Sequence, residues 1–378
     1  MPTSLTINAY ICKKNMNENN FAVIMAGGVG SRFWPMSQTA CPKQFIDILG
    51  TGKTLIRQTF ERLNKLCSEK NIIVVTNKMY KNLVAEQLPE IPLNNILCEP
   101  CRRNTAPCIC YAYNKILSVN ENAQIIIAPS DHLILNEAKF IEVADYAMNT
   151  AAANDCLITL GITPSRPDTG YGYIQVDRDE NRKINEKINK VKSFREKPDL
   201  EKAKEFLADG NYVWNAGIFI WSAKSIKAAF QKFLPEIDNS FAECRDIYNT
   251  DKETEFIDKV YYACQNISID YGVMEKAENV YVYPTEFGWS DLGTWLSLFD
   301  ISDKDDENNV TRGNILTFDT KNSIIRTTST DKLIVVEGLD NYIIVDNNDK
   351  LLICNKSNEQ RIKDIVSTVE DKFGDKYI

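Results

Sequence analysis

The stretch Phe21-Ala22-Val23-Ile24-Met25-Ala26-Gly27-Gly28-Val29-Gly30-Ser31-Arg32 decides the fold. It opens on a short apolar run of the kind buried on both faces in a parallel sheet. The glycines that follow let a backbone approach an anion closely and point its N–H groups inward. Arg32 adds a permanent, multidentate cation. A strand that feeds a phosphate-holding loop implies an α/β protein, although the glycines alone also fit a simple tight turn. Outward from this point, apolar runs recur at Ile72–Val75, Ile125–Ala128, Leu157–Leu160 and Ala216–Trp221. Helical patterns at Leu55–Leu66, Thr105–Leu117 and Phe140–Ala152 lie between several of them. This alternation predicts a doubly wound sheet.

Two better-known phosphate motifs nearly match and fail. G-x-G-x-x-G starting at Gly28 would need a third glycine where Phe33 stands. Gly50-Thr51-Gly52-Lys53-Thr54 resembles the end of a P-loop, but the first glycine of that motif is replaced by Asp47. A carboxylate there would repel the phosphates the loop should cradle.

The composition is that of an ordinary globular protein, 44% hydrophobic and 25% charged. A net charge of −8 argues against a general nucleic-acid or membrane-surface binder. No apolar run is long enough to span a bilayer, and the N-terminus has no basic region leading into an apolar one. The expected compartment is the cytoplasm. The eleven cysteines are scattered, and a chain with one histidine, His132, offers little for a zinc site around Cys98, Cys101, Cys108 and Cys110. Reduced thiols are the natural reading.

The pattern divides the chain into three parts. Residues 1–20 are polar and unpatterned, an expected disordered extension, with Met16 at a plausible distance for an alternative start. Residues 21–302 carry the strand–helix alternation. The charged stretch Asp177–Lys192 reads as a loop or hairpin. After the polar break Asp303–Asn309 come short β-rich runs at Asn314–Phe318, Ser323–Thr327, Lys332–Val336, Asn341–Val345 and Lys350–Cys354. Residues 303–378 therefore read as a small β-solenoid or sandwich, closed by a helix at about Glu359–Phe373.

Beyond Arg32 the chain continues Phe33-Trp34-Pro35 and then Pro42-Lys43-Gln44-Phe45. AGGVGSRFWP and PKQF together resemble the signature of mannose-1-phosphate guanylyltransferases, within the sugar nucleotidyltransferase superfamily. Further blocks agree in order: Glu99-Pro100 with Arg103-Asn104-Thr105-Ala106-Pro107, PSDH at 129–132, GITPSRPDTGYGYI at 161–174, FREKP at 194–198, WNAGIF at 214–219, SIDYGVMEK at 268–276 and GWSDLGTW at 288–295. PSDH and WSDLGTW favour the guanylyl, mannose branch over thymidylyl or uridylyl relatives. The resemblance implies a Rossmann-like mixed sheet of the nucleotide-diphospho-sugar transferase type, with a short left-handed β-helix after it. It implies no isomerase activity, since the chain lacks room for the cupin-like domain of longer bifunctional relatives.

The implied reaction is attack by a mannose 1-phosphate oxygen on the α-phosphorus of GTP, giving GDP-mannose and pyrophosphate. The attacking oxygen is already anionic at neutral pH, so no general base is needed. The task is to bring two anions together and stabilise the charge that builds. Ala26, Gly27, Gly28, Gly30 and Ser31 would hold the triphosphate, with Arg32 and Lys43 as catalytic cations. Asp131, just past an apolar strand, and Asp291, in a glycine-flanked turn, would share Mg²⁺ or another divalent cation, although a turn or helix cap also suits Asp131. The sugar phosphate would meet Gly170, Tyr171, Gly172, Glu196, Lys197, Asn215 and Asp270. Arg103 and Asn104 either lie near the guanine or form a helix N-cap. A homodimer is expected. Two alternatives stay open: another base or sugar, or a non-catalytic regulatory subunit, which would be expected to lose Arg32 or a metal aspartate.

Overall fold

The apolar run Phe21–Met25 at the start of the signature forms the strand Asn20–Ala26, one residue longer at each end than the run suggests. The fold comes from a computed structural model that describes residues 16–243 and 245–378. Residues 1–15, most of the expected extension, lie outside the described residues.

The described residues fall into two compact units. The first contains residues 16–27, Thr59–Ser130 and Ile134–Trp289. Its centre is a nine-stranded sheet in the order Ile96–Glu99, Ile72–Asn77, Asn20–Ala26, Gln124–Pro129, Tyr212–Ser222, Leu157–Ile162, Val280–Thr285, Asn189–Arg195, Tyr173–Val176. The first four strands are parallel, with Ile24 opposite Val74 on one side and Ala128 on the other. Both of their faces are buried, which is why each reads as a continuous apolar run. Tyr212–Ser222 runs antiparallel to both of its long neighbours and makes the sheet mixed. The Thr105–Leu117 helix is buried from Ala106 to Ile116 and packs in the main core with Phe219, Trp221 and Phe230.

Four of these strands lack a clear signal in the sequence. Asn189–Arg195 is mostly half-exposed and carries Lys190, Lys192 and Arg195, so no apolar run marks it. Val280–Thr285 contains Pro284, which argues against an interior strand, yet it pairs in parallel with Leu157–Ile162. Ile96–Glu99 and Tyr173–Val176 span only four residues each. The charged stretch after Val176 is the connection of an antiparallel hairpin, as its composition suggests.

The second unit contains Gly28–Gln58, residues 131–133 and Ser290–Ile378. In this unit the strands beyond residue 303 pack together with Gly28–Gln58 and with the segment from Ser290 onward. The signature loop and the C-terminal strands share one apolar cluster, in which Phe33, Trp34, Ile48 and Leu55 pack with Trp295, Ile324, Ile343, Val345 and Ile362. Three long-range hydrogen bonds reinforce it. Arg326 donates to the Ile48 carbonyl at 2.6 Å, Asn347 to the Pro35 carbonyl at 2.7 Å, and the Trp34 indole to the Tyr377 carbonyl at 2.8 Å.

The C-terminal strands alternate between two parallel ladders. One holds Val310–Arg312, Ile324–Thr327 and Tyr342–Asn347, with Lys350–Asn355 added antiparallel. The other pairs Asn314–Phe318 with Leu333–Glu337. This is the layout of a short β-coil, closed by the helix Ile362–Phe373. Among the described residues, no helix is long and apolar enough to cross a membrane.

Candidate active site

The glycine loop is braced from below by its own unit. Gln44 donates to the Gly28 carbonyl at 2.9 Å, and the Ser37 hydroxyl to the Val29 carbonyl at 2.7 Å. Gly30 has φ +60°, and a Cβ there would lie 2.6 Å from Lys43 Cβ, so conformation and packing both demand glycine. Ser31–Phe33 forms one tight helical turn. It anchors Phe33 against Trp295, with ring centroids 4.9 Å apart. Among the described residues, the buried Nε of Arg32 has no hydrogen-bond partner. An orphaned guanidinium nitrogen beside a glycine loop suits an incoming phosphate oxygen.

Lys43 is the centre of the candidate residues gathered in the second unit. Only 3% exposed, it directs its ammonium onto three oxygens. These are Asp131 Oδ2 at 2.8 Å and the carbonyls of Asp291 and Leu292, both at 2.9 Å. One cation thus meets the carboxylate of Asp131 and the backbone carbonyl of Asp291, two residues far apart in sequence. Burial raises the Asp131 carboxyl most, but the Lys43 charge and hydrogen bond, with His132 close by, together outweigh it and hold the group below its ordinary value. Asp291 Oδ1 accepts from the Gly293 N–H at 2.9 Å, and a Cβ at Gly293 would fall 2.5 Å from Asp291 Oδ2. Leu292 sits at φ +45°, uncommon for a bulky residue, at the turn that aims these carbonyls.

The false P-loop is explained by its aspartate. Asp47 accepts from the N–H groups of Gly50, Thr51 and Gly52 at 2.7, 2.9 and 2.8 Å, filling the nest a phosphate would need.

The residues expected around the sugar gather in the first unit. Asn215 donates to Asp270 at 2.8 Å, while its carbonyl oxygen accepts from Thr159 at 3.2 Å and from the Gly217 N–H at 3.1 Å. The Gly172 carbonyl accepts from the Asn215 N–H at 2.8 Å. A Cβ at Gly172 would stand 2.6 Å from Glu196 Oε2, so the glycine makes room for that carboxylate. Lys197, at φ +42°, folds its ammonium back onto Glu196 at 2.8 Å. Burial, with Glu196 close by, raises the Asp270 carboxyl to about 6, against the opposing Asn215 hydrogen bond. Tyr171 packs edge-on against Trp214 and Trp289 with centroids 5.0 and 5.1 Å away. Sequence reasoning left Asp168 unassigned. It accepts from the Gly170 N–H at 2.8 Å and pairs with Arg166 at 2.7 Å, fixing the glycine loop.

Arg103 and Asn104 take structural places. Asn104 caps the Thr105–Leu117 helix by accepting from the Thr105 N–H at 2.9 Å. Arg103 donates to the carbonyls of Tyr261 and Tyr262 at the end of the Glu253–Ala263 helix, at 3.0 and 2.9 Å. Glu99, quoted in the family block but given no role, proves the more unusual neighbour. A Cβ at Gly27 would lie 3.3 Å from Glu99 Oε2, and the Tyr261 hydroxyl donates to Oε1 at 3.0 Å. Burial raises this carboxyl to about 7 in spite of that bond.

Residues 21–308 match the nucleotidyl transferase family, and residues 313–369 match the MannoseP isomerase/GMP-like beta-helix domain. Mannose-1-phosphate guanylyltransferase 2 of Escherichia coli O157:H7 is 39% identical over 94% of this chain and 75% of its own length. The chain belongs to the nucleotidyl transferase family, in its mannose-1-phosphate guanylyltransferase branch. Mannose-1-phosphate guanylyltransferase RfbM of Salmonella typhimurium is 38% identical over 94% of this chain and 73% of its own. The alginate biosynthesis protein AlgA of Pseudomonas aeruginosa is 35% identical, over 92% and 72%. Among solved structures, one from Thermus thermophilus, titled a mannose-1-phosphate geranyltransferase, aligns with a TM-score of 0.82 at 27% identity. The alignment covers 93% of this chain and 99% of that one.

Proposed function

We propose that this nucleotidyl transferase joins GTP and α-D-mannose 1-phosphate into GDP-mannose and pyrophosphate by in-line displacement at the α-phosphorus. The single observation that carries the mechanism is the Lys43 ammonium held by Asp131 and the backbone of Asp291 and Leu292, directly behind the glycine loop. Three oxygens already surround a positive charge there. Oxygen-only donors with one ionised carboxylate suit Mg²⁺ or a similar hard divalent cation. Asp131 and Asp291 would hold it, and when bound it would neutralise charge on the phosphates.

The protein's own groups do the rest. The N–H groups of Gly27 to Ser31 and the Arg32 guanidinium bind the triphosphate and fix the α-phosphorus for attack. Lys43 supplies positive charge as the α-phosphoryl group becomes more negative, a contribution larger in the transition state than in the ground state. In the sugar half, Glu196 and Asp270 accept from hydroxyls, Asn215 holds Asp270 in place, and Lys197 leaves Glu196 to meet the incoming phosphate. Tyr171 and the glycines beside it shape the wall. The unpartnered Nε of Arg32 and the complete set of Lys43, Asp131 and Asp291 support an enzyme over a regulatory subunit.

Self-association belongs to the same reading. Leu316, Phe318, Leu333, Val335, Leu351 and Ile353 are each at least 50% exposed on the C-terminal strands. A monomer seldom leaves such a set open to water, and a second copy would cover it.

The test of the chemistry is replacement of Asp131 or Asp291 by asparagine. Turnover at saturating substrate should fall about a hundred- to several-thousandfold, the effect of losing about 3–5 kcal/mol of charge stabilisation. The circular-dichroism melt of Asp291→Asn should move little, while that of Asp131→Asn should fall, because the buried Lys43 ammonium loses its counter-charge. Near-normal turnover of either variant at limiting Mg²⁺ would refute the two-aspartate site.

A further inference from the structure

We infer that Lys43 is the resting occupant of the cation site, and that a divalent ion and the Lys43 ammonium exclude each other there. The inference rests on the two-aspartate site proposed above and adds an exchange step to it. An ammonium has three donors, and here all three acceptors are protein oxygens: Asp131 Oδ2, the Asp291 carbonyl and the Leu292 carbonyl. No donor is left over for a phosphate. A lysine that is to stabilise the α-phosphoryl group must therefore first give up these partners.

The surroundings fix the stem and leave the head as the movable part. Gly30 leaves only enough room for Lys43 Cβ, and the Phe33 ring centroid lies 5.8 Å from the ammonium. Asp131 remains 28% exposed on its side chain, so an ion can reach it from solvent while the lysine is seated. A divalent ion arriving at Asp131 puts two like-signed charges on one carboxylate, and the ammonium is the one with a flexible tether. Once displaced, it needs a new anion, and the triphosphate supplies one. Metal and nucleotide therefore favour each other's binding through this single side chain. Without nucleotide, the seated lysine keeps the site occupied by a charge that cannot be lost to chelators.

The exchange makes predictions that do not depend on turnover. Manganese binding to the nucleotide-free protein, followed by the loss of the free-ion paramagnetic resonance signal, should be at least about tenfold tighter in Lys43→Met than in the unaltered chain. Equal or weaker binding would overturn the exchange. In the unaltered chain, trace acetylation read by mass spectrometry should show Lys43 several-fold more reactive with saturating Mg²⁺ than without it. Unchanged or reduced reactivity would also overturn the inference, and this arm stands even if the methionine variant folds poorly. A third arm separates this failure from failure of the site itself. Adding Asp131→Asn to Lys43→Met should abolish the tight manganese binding. If binding survives, the ion sits elsewhere and the two-aspartate reading falls with the exchange.

Discussion

At the scale of single residues, the site depends on charges that burial makes uncomfortable and neighbours make tolerable. Lys43 and Asp131 solve this by pairing. Glu99 has weaker support: the Tyr261 hydroxyl donates to it, yet its carboxyl stays protonated up to about pH 7. An acid whose folded-state pKa lies above its unfolded value contributes stability that is complete below the unfolded pKa. That contribution is lost as pH rises through the folded pKa. The window here runs from about 4.5 to about 7. Glu99→Gln, which stays neutral, should remove this loss. The stability of the variant relative to the parent should improve by up to about 3 kcal/mol between pH 5 and pH 8, from the 1.36 kcal/mol carried by each pKa unit. Urea midpoints at the two pH values measure it. A constant difference between the two proteins would show that Glu99 titrates as an ordinary carboxylate.

At the scale of elements, legibility followed burial. The parallel strands and the Thr105–Leu117 helix stood out because they are buried on all sides and therefore mostly apolar, with Asn114 and Lys115 as buried polar exceptions in the helix. Asn189–Arg195 and Val280–Thr285 were hidden because one is half-solvated and the other contains a proline. The residues of the site were legible as motif positions, but their partners were not. Nothing in PKQF says that Lys43 rests on the backbone of Asp291 and Leu292, because that contact links segments far apart in sequence. Arg103 and Asn104 show the reverse: both serve helix ends, a role their motif does not announce, and a place near the guanine is a proposal beside it. Asn104→Ala removes the cap of the Thr105–Leu117 helix at a residue with φ +67°. It should cost about 1–2 kcal/mol in denaturant melts while leaving the KM for GTP within about twofold. A large rise in that KM without loss of stability would return Asn104 to the nucleotide.

At the scale of the whole molecule, the C-terminal coil is part of what holds the catalytic loop. The cluster that seats Phe33 and Trp34 takes Ile324, Ile343, Val345 and Ile362 from beyond residue 303, and Arg326 and Asn347 tie down Ile48 and Pro35. A chain ending at Asp303 keeps every proposed site residue. It should nevertheless melt at least about 5 °C lower, lose most turnover and, stripped of the exposed apolar strands, elute as a monomer where the full chain elutes as a dimer. An unchanged melting temperature, turnover and mass would show the coil to be independent. The choice of substrates is read from kcat/KM for pyrophosphate release across GTP, ATP, UTP and dTTP, each with mannose 1-phosphate and with glucose 1-phosphate. GTP with mannose 1-phosphate should exceed every other pair by at least about tenfold, a difference of about 1.4 kcal/mol in transition-state binding. A higher value for UTP or dTTP with glucose 1-phosphate would contradict it.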